Sequence, residues 1–372
     1  MASELQQVST RVSRASTALA LSGGGFRATL FHCGALLRLN ELGYLTRIGR
    51  ISSVSGGSIA AGMLAVAWPT LTRKDRNFTD LDEKVIQPLR AFCRRSIDKA
   101  AIGWGVLTPG KSIGDVLADI YDELYYGKSL QELPDEPQFI FNATNLQTGR
   151  LVRLSKMRLA DHLIGEVPRP DIRVSVAVAA SSAFPPVLSP VTIDVDPDAW
   201  VHLEGARYWG DPAYTRTLSL TDGGAYDNLG LEPVDDFETV IVSDAGAPFA
   251  MAEEASGHWL KQSMRALDIA TDQARALRKR LLFAQAAASG RKVAYGGIDG
   301  DVTGYPARRK IQVSFDVTSR LARIRTRLDP FSDEEQGQLI NWGWLMMDMA
   351  MRSYVVPNAE PPTALPLPAP LA

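Results

Sequence analysis

Residues 17–27 read Thr17-Ala18-Leu19-Ala20-Leu21-Ser22-Gly23-Gly24-Gly25-Phe26-Arg27. The apolar run at the start has the length of a buried strand, and Leu30, Leu37 and Leu42 after the glycines follow helical spacing. Several backbone N–H groups at the start of such a helix can point at one small anion. The segment therefore predicts a strand, a glycine loop suited to an anion, and a helix.

A second unit of the same kind follows at residues 50–68. Residues 50–54 predict a short strand that is broken at Ser55-Gly56-Gly57, and residues 59–68 predict a helix. A serine at a sharp turn between a buried strand and a helix presents its hydroxyl, and the glycines after it let the helix pack closely. The pattern predicts a nucleophile elbow. Ser53 occupies the position where the first glycine of such an elbow usually lies, and Gly57 occupies the position of the second. The alternative is an ordinary serine-glycine loop.

Further strand patterns alternate with helical ones along the chain. Residues 138–145 and 151–154 predict a hairpin that turns near Thr148-Gly149, while residues 217–221 and 239–243 predict strands that end at Asp222 and Asp244. Alternating strands and helices form a parallel sheet that is covered on both faces. The sequence therefore predicts an α/β fold with three layers, α/β/α, around a central, mostly parallel sheet.

The C-terminal third is mainly helical in pattern. Residues 256–288 carry apolar side chains on one helical face, and residues 295–305 predict a hairpin. Ser332 and Glu335 form a capping box for a last helix that runs to about Tyr354. We expect one catalytic domain over 1–356, with core motifs at 17–245 and a helical extension at 255–356. The proline-rich tail at 357–372 is expected to be loose and unpacked.

An acidic residue stands at the end of a predicted strand, in Asp222-Gly223-Gly224. A carboxylate at such an end can project into the crevice that the serine faces, and the glycines let the backbone pass closely. Standing alone, Asp-Gly-Gly is equally typical of a plain turn.

Taken in order, these motifs resemble those of the patatin-like phospholipase family: a glycine loop with arginine, an elbow serine and an Asp-Gly-Gly aspartate. Two further segments extend the resemblance, Asn142-Ala143-Thr144 with Gly149-Arg150, and Ala180-Ser181-Ser182-Ala183-Phe184-Pro185. The resemblance covers residues 17–245. It implies that Ser55 is a nucleophile, that Asp222 is its base, and that Gly24, Gly25 and Arg27 form the oxyanion loop. Valine at Gly25 is then expected to reduce turnover greatly and stability only modestly.

The family mechanism uses two residues, and the histidines allow a comparison with a triad. The sequence contains His32, His162, His202 and His258, of which only His258 follows Asp222. His258 lies near the start of a predicted amphipathic helix and outside every motif, so we expect a dyad. No histidine pair has metal-ligand spacing, and we predict no metal and no cofactor. With an unperturbed pKa near 4, Asp222 is expected to be ionised throughout the neutral range.

The bulk composition limits the partners. Lys plus Arg number 40 against 42 Asp plus Glu, so no strong field favours nucleic acid, and we predict none as a partner. Two cysteines favour a reducing cytoplasm over a disulfide-rich secreted enzyme. Because no run of about eighteen apolar residues occurs, any membrane contact is expected to be peripheral.

We therefore predict a serine lipid acyl hydrolase, a phospholipase A, lysophospholipase or carboxylesterase, that acts on lipid or ester substrates through an acyl-enzyme. One alternative is a transacylase with the same dyad, in which an alcohol replaces water. Another is a nucleotide-binding regulatory module that uses the glycine loop, although neither a Lys-Ser nor a Lys-Thr pair follows the glycines.

Overall fold

The computed structural model describes residues 17–97, 112–254 and 256–372. The strands, in chain order, are β1 Thr17–Leu21, β2 Ile48–Val54, β3 Arg73–Lys74, β4 Asn77–Phe78, β5 Gln138–Asn145, β6 Leu151–Ser155, β7 Arg158–Asp161, β8 Gly165–Pro168, β9 Val191–Asp194, β10 Thr217–Asp222, β11 Thr239–Asp244 and β12 Lys292–Gly297. The α-helices are α1 Gly25–Glu41, α2 Gly56–Ala67, α3 Gln87–Phe92, α4 Ile113–Tyr125, α5 Val174–Ser182, α6 Pro212–Thr215, α7 Gly224–Asp227, α8 Trp259–Ser289, α9 Phe315–Arg323 and α10 Asp333–Tyr354.

The main sheet has the strand order β12-β11-β1-β2-β5-β6-β7-β8. Strands from β12 to β5 pair in parallel, whereas β6, β7 and β8 continue from β5 as an antiparallel meander. Helices lie on the faces, so the predicted α/β/α architecture with a mostly parallel sheet is confirmed. The predicted hairpin of β5 and β6 is confirmed as well.

Strand β10 joins the sheet in an unusual place. It pairs antiparallel with β5 from Asp222, opposite Ala143, to Leu220, opposite Asn145. Ala143 also pairs with β6, so β10 occupies the other edge of β5, the edge that β2 occupies up to Val54 opposite Asn142. The carboxyl ends of β2 and β10 therefore meet at neighbouring positions along one strand.

The two faces of the sheet have separate apolar clusters, because side chains alternate along a strand. Leu19 and Leu21 of β1 point into a large cluster that contains α1, α2 and α10. Ala18 and Ala20 point to the other face, where residues 229–234 and Leu282 of α8 cover them. This alternation explains why β1, buried on both faces, reads as an unbroken apolar run.

Helices α1 and α10 contact each other through their backbones. A Cβ at Gly34 would overlap the Ile340 carbonyl oxygen, and one at Gly343 would overlap that of Phe31. Further along, Asp348 of α10 accepts hydrogen bonds from Arg38 of α1 at 2.7 and 2.9 Å. The last helix is thus a part of the core layer beside the sheet.

The hairpin expected at residues 295–305 is wrong. The predicted hairpin at 295–305 is absent from these described residues: β12 pairs in parallel with β11, and Val302–Gly304 form a 3-10 helix. The extension at 255–356 therefore contributes a strand to the sheet as well as helices. The capping box of Ser332 and Glu335 at the start of α10 is confirmed.

The tail at 357–372 is packed, contrary to expectation. The Asn341 side chain of α10 donates to the carbonyl oxygens of Leu367 and Ala369 and accepts from the Leu367 amide. Leu371 is 1% exposed, and its carbonyl accepts from the Ser314 amide. Proline favours extended backbone, and such backbone leaves its polar groups free for side chains of a neighbouring helix. The domain boundaries stay predictions, and residues 1–16 lie outside the described part.

We predict that Gly343→Ala destabilises the protein by about 3 kcal/mol or more, because the added Cβ must separate two packed helix backbones. The measurement is chemical denaturation of the purified variant. Gly304→Ala is the matched control, since a Cβ there has open space around it. Equal free energies of unfolding for the two variants would contradict the packing described for α1 and α10.

Candidate active site

Ser55 lies in the sharp turn between β2 and α2, with φ at 51°. Its amide donates to Ser181 at the end of α5, with distances of 3.1 Å to Oγ and 3.2 Å to the carbonyl oxygen. A Cβ at Gly56 would overlap the Gly25 carbonyl, and one at Gly57 would overlap that of Leu21. The glycines after the serine are therefore required by the close approach of α2 to β1 and to the glycine loop.

Ser53 needs no glycine-like conformation, because it is the penultimate residue of an extended strand. Its hydroxyl is buried, donates to the Ile140 carbonyl at 3.1 Å and accepts from Ser58 Oγ at 2.9 Å. Ser58 Oγ in turn lies 2.8 Å from Ser181 Oγ. Serine at this position thus joins the hydrogen-bond network that supports the turn.

Asp222 ends β10 and is 4% exposed. Its carboxylate accepts a hydrogen bond from the Gly224 amide at 2.7 Å, and the Ser55 side chain lies close enough to lower its pKa. The structure therefore brings together the two side chains that the sequence singled out. The meeting of β2 and β10 on one edge of β5 accounts for this, since Ser55 directly follows Val54.

The expectation of an unperturbed pKa for Asp222 is wrong. Burial raises the pKa of Asp222 from 3.8 to about 6, and the nearby Ser55 side chain and the Gly224 amide oppose the shift only in part. A base with this pKa takes a proton more readily than an ordinary carboxylate and is still mostly ionised at neutral pH.

The two further motifs of the resemblance hold the pair in place. Thr144 Oγ1 donates to the Asp222 carbonyl at 2.9 Å, and the Asp222 amide donates to the Ala183 carbonyl at 3.0 Å. Ser181, which accepts from the Ser55 amide, donates its own hydroxyl to the Asn142 carbonyl at 2.6 Å. The same small set of polar groups therefore orients both side chains.

The glycine loop connects β1 to α1 beside Ser55. Gly24 has φ at 139° and Gly25 at 58°, which glycine adopts without strain. The first amides of a helix lack intrahelical partners, and among the described residues no side chain caps α1 or α2. The starts of both helices meet where Gly56 approaches Gly25, so two positive helix ends lie next to the serine.

Gly25 is more constrained than expected. A Cβ there would overlap the carbonyl oxygen of Thr326, in the segment that links α9 to α10. Valine at Gly25 must displace backbone, so the expectation of only a modest stability loss is wrong. A Cβ at Gly24 would also force the backbone to shift, although less than at Gly25, because it would lie 2.8 Å from the Ala245 carbonyl oxygen.

Arg27 is fully buried and faces away from solvent. Its guanidinium donates to the carbonyl oxygens of Ala245 at 2.6 Å, Ala322 at 3.0 Å and Ile324 at 3.1 Å. Burial lowers its pKa to about 10, which still leaves it charged at neutral pH. The side chain ties the start of α1 to two distant segments.

Asn228 is a neighbour of the pair that the sequence analysis missed. Its carbonyl accepts from the Gly23 amide at 3.0 Å, and its Oδ1 lies against the Cα positions of Gly23 and Gly224. It thereby links the glycine loop to the Asp-Gly-Gly turn. The only local signal was a polar side chain six residues after Asp222, which is common in loops.

The histidines lie in two kinds of environment. His32 is buried, contacts Ser243 Oγ and the Ser22 carbonyl at 2.8 and 2.9 Å, and has its pKa lowered by burial to about 4. His162, His202 and His258 are exposed, and His258 precedes α8 and stacks on Trp259.

Within the described residues, no group of His, Cys, Asp and Glu could hold a metal ion. The helices described are all too short or too polar to cross a membrane.

Comparisons with known proteins identify a family and a shared fold. The patatin-like phospholipase model matches residues 19–235, more than half of the chain. A solved structure of human GIVD cytosolic phospholipase A2 is 13% identical, with a TM-score of 0.52 over 94% of this chain and 62% of that chain. Its complex with methyl gamma-linolenyl fluorophosphonate is also 13% identical, with a TM-score of 0.50 over 93% and 59%.

At this identity the two structures establish a shared fold, and the chain covers less than two thirds of their length. A comparison with curated protein sequences gave no significant match. The family model rests on sequence, and it spans the elbow, the hairpin and the Asp-Gly-Gly turn. The chain therefore belongs to the patatin-like phospholipase family of lipid acyl hydrolases.

Proposed function

We propose that the protein is a serine carboxylester hydrolase that cleaves acyl chains from phospholipids, lysophospholipids or simple esters. Ser55 is the nucleophile and Asp222 is the base, without a histidine between them. The observation that carries this proposal is the meeting of β2 and β10 on one edge of β5, which brings Ser55 next to the buried Asp222 carboxylate, close enough to lower its pKa.

In the first half of the reaction Asp222 accepts the hydroxyl proton as Ser55 Oγ attacks the ester carbonyl. The carbonyl oxygen becomes an oxyanion, and the amides of Gly24 and Gly25 stabilise it together with the two helix ends. Arg27 is a positioning residue in this scheme, since its Nη1 and Nη2 groups donate to backbone carbonyls. Collapse of the intermediate transfers the proton from Asp222 to the leaving alcohol and leaves the acyl group on Ser55.

In the second half water takes the place of the alcohol. Asp222 accepts a proton from water, the hydroxide attacks the acyl carbonyl, and the proton returns to Ser55 Oγ as the fatty acid leaves. A transacylase follows the same path with an alcohol as acceptor, so product analysis with and without an added alcohol separates the two.

Ser55→Ala should abolish ester hydrolysis and covalent labelling by a lipid fluorophosphonate, because only Oγ can form the adduct. The human GIVD enzyme was solved with such a compound, which makes this class of probe appropriate. The measurement is intact mass, followed by mapping of the labelled peptide. Ser263→Ala on α8, where the exposed hydroxyl bonds only its own helix, is the control and should be labelled like the wild type. A label on any other serine would rule out Ser55.

We expect turnover on a soluble ester to fall about tenfold per pH unit below pH 6, because Asp222 must be ionised and its pKa is raised to about 6. A fall in turnover near pH 6 is therefore not by itself evidence for a catalytic histidine, because the usual histidine pKa of about 6.5 lies close by. Asp222→Asn should lose several orders of magnitude in turnover, while His258→Ala should change it less than about tenfold.

Asp222→Asn should nevertheless be as stable as the wild type at about pH 8, or more so. The raised pKa means that ionisation of Asp222 costs the folded state stability as pH rises from about 4 to about 6, and asparagine avoids that cost. The activity measurement also tests the dyad: a His258→Ala variant that is folded but inactive would contradict it.

Gly24→Ala should lower kcat about a hundredfold with little change in KM, since the oxyanion exists only in the transition state and intermediates. Gly149→Ala is the matched control, because Gly149 also has positive φ, at 68°, but has open space around it. Thermal unfolding of both variants shows whether a loss of turnover is accompanied by a loss of stability from backbone strain. If Gly24→Ala keeps a near wild-type kcat, the loop does not hold the oxyanion.

A further inference from the structure

Asn228 places a carboxamide beside the two proposed catalytic side chains. The point at which Gly23 would carry a Cβ lies 2.3 Å from Asn228 Oδ1 and 3.2 Å from Ser55 Cβ. The corresponding point at Gly224 lies 2.7 Å from Asn228 Oδ1 and 2.9 Å from Asp222 Oδ1. The oxygen of this one side chain therefore lies next to both Ser55 and Asp222.

The carboxamide of Asn228 has no protein partner. Among the residues that the structure describes, none forms a hydrogen bond with its oxygen or its nitrogen. Asn228 is partly buried, whereas Ser55 and Asp222 are buried. A carboxamide offers both donors and an acceptor, so one that bonds no protein group can bond a molecule that enters the site.

The backbone on both sides of Asn228 is fixed. Its carbonyl accepts from the Gly23 amide at 3.0 Å. The buried carboxylate of Asp227 accepts from the Leu229 amide at 3.0 Å and from the Leu231 amide at 2.8 Å. The unpartnered carboxamide is thus carried by a well-held turn, which is the arrangement that orients a reacting molecule without first ordering the protein.

The carboxamide oxygen, and not the nitrogen, faces Gly23 and Gly224. Cα hydrogens carry a small positive charge and make weak hydrogen bonds to oxygen. A carboxamide nitrogen in that place would bring its own hydrogens against them. The group that Asn228 presents beside the proposed pair is therefore an acceptor.

Water and an alcohol differ in what they need beside Asp222. Either molecule gives one proton to Asp222 as its oxygen attacks the acyl carbonyl on Ser55. Water has a second O–H group that needs an acceptor, whereas an alcohol carries carbon there instead. An acceptor in this position stabilises attacking water and offers an alcohol no further hydrogen bond.

We propose that Asn228 Oδ1 accepts a hydrogen bond from the second O–H group of the hydrolytic water, and that Asn228 thereby selects water over alcohols as the acyl acceptor. This inference rests on the proposed function, because the water attacks the acyl group on Ser55. As the new oxygen–carbon bond forms, the first proton passes from water to Asp222. The bond from carbon to Ser55 Oγ then breaks, that proton passes to Oγ, and the second proton leaves with the fatty acid.

The test measures which acceptor takes the acyl group. Each protein is incubated with a soluble p-nitrophenyl ester and a fixed concentration of methanol, and the methyl ester and the free acid are quantified. Asn228→Ala removes the carboxamide, and Asn228→Leu replaces it with an apolar side chain of similar size. We expect the ratio of methyl ester to acid to rise about fivefold or more in both variants, because only attack by water loses a hydrogen bond.

This ratio distinguishes selection of water from a merely structural role. A variant that disturbs Asp222 or the glycine loop slows both reactions alike, because water and methanol attack the same acyl-enzyme. The ratio is also independent of the amount of active protein. Asn358→Ala is the matched control, since Asn358 is exposed in the C-terminal tail, and it should give the wild-type ratio.

An unchanged ratio in either variant would overturn the role of Asn228. So would a rise in Asn228→Ala alone, since added space and not a lost acceptor would then favour methanol. A folded variant that releases no p-nitrophenol would overturn it as well, because Asn228 would be required before water enters.

The acyl-enzyme is followed separately by intact mass and peptide mapping. A wild-type protein that forms no acyl adduct at Ser55 would refute the proposed function itself. An adduct at Ser55 together with unchanged ratios in the Asn228 variants would refute only the selection of water.

Discussion

One edge of β5 is shared by two strands, and the geometry of the site depends on that pairing. β2 occupies the edge up to Asn142, and β10 takes it over from Ala143 in the opposite direction. Both strands must end where they meet, because neither can continue through the other. Ser55 and Asp222 lie at those ends, so backbone hydrogen bonds of the sheet set the spacing between two side chains that are far apart in sequence.

The same point concentrates groups that cost stability. Ser55 has a positive φ that serine adopts with strain, and Asp222 is a buried carboxylate whose pKa burial raises to about 6. Hydrogen bonds hold both residues in place. The Ser55 amide donates to Ser181 and the Asp222 amide to Ala183, while Thr144 donates to the Asp222 carbonyl. Such an arrangement sacrifices stability locally to hold both side chains in place, which is the balance expected of the proposed active site.

Distant parts of the chain complete the glycine loop. Arg27 bonds carbonyl groups at 245, 322 and 324, while Thr326 lies against Gly25 and Asn228 against Gly23. The C-terminal region therefore does more than extend the fold: β12 widens the sheet, α10 packs on α1, and the link between α9 and α10 closes over the loop. Substitutions there can change the loop without touching the proposed catalytic pair.

Local patterns in the sequence determined the strand–glycine–helix units, the hairpin of β5 and β6, the capping box of α10, and the placement of Ser55 and Asp222 at element ends, because each depends on a few neighbouring residues. Only the tertiary structure decided the antiparallel entry of β10, the raised pKa of Asp222, the contacts of Asn228, the packing of the tail and the exposure of α8. These depend on which distant segments pack together, and burial and strand partners are properties of that packing, which no local spacing encodes.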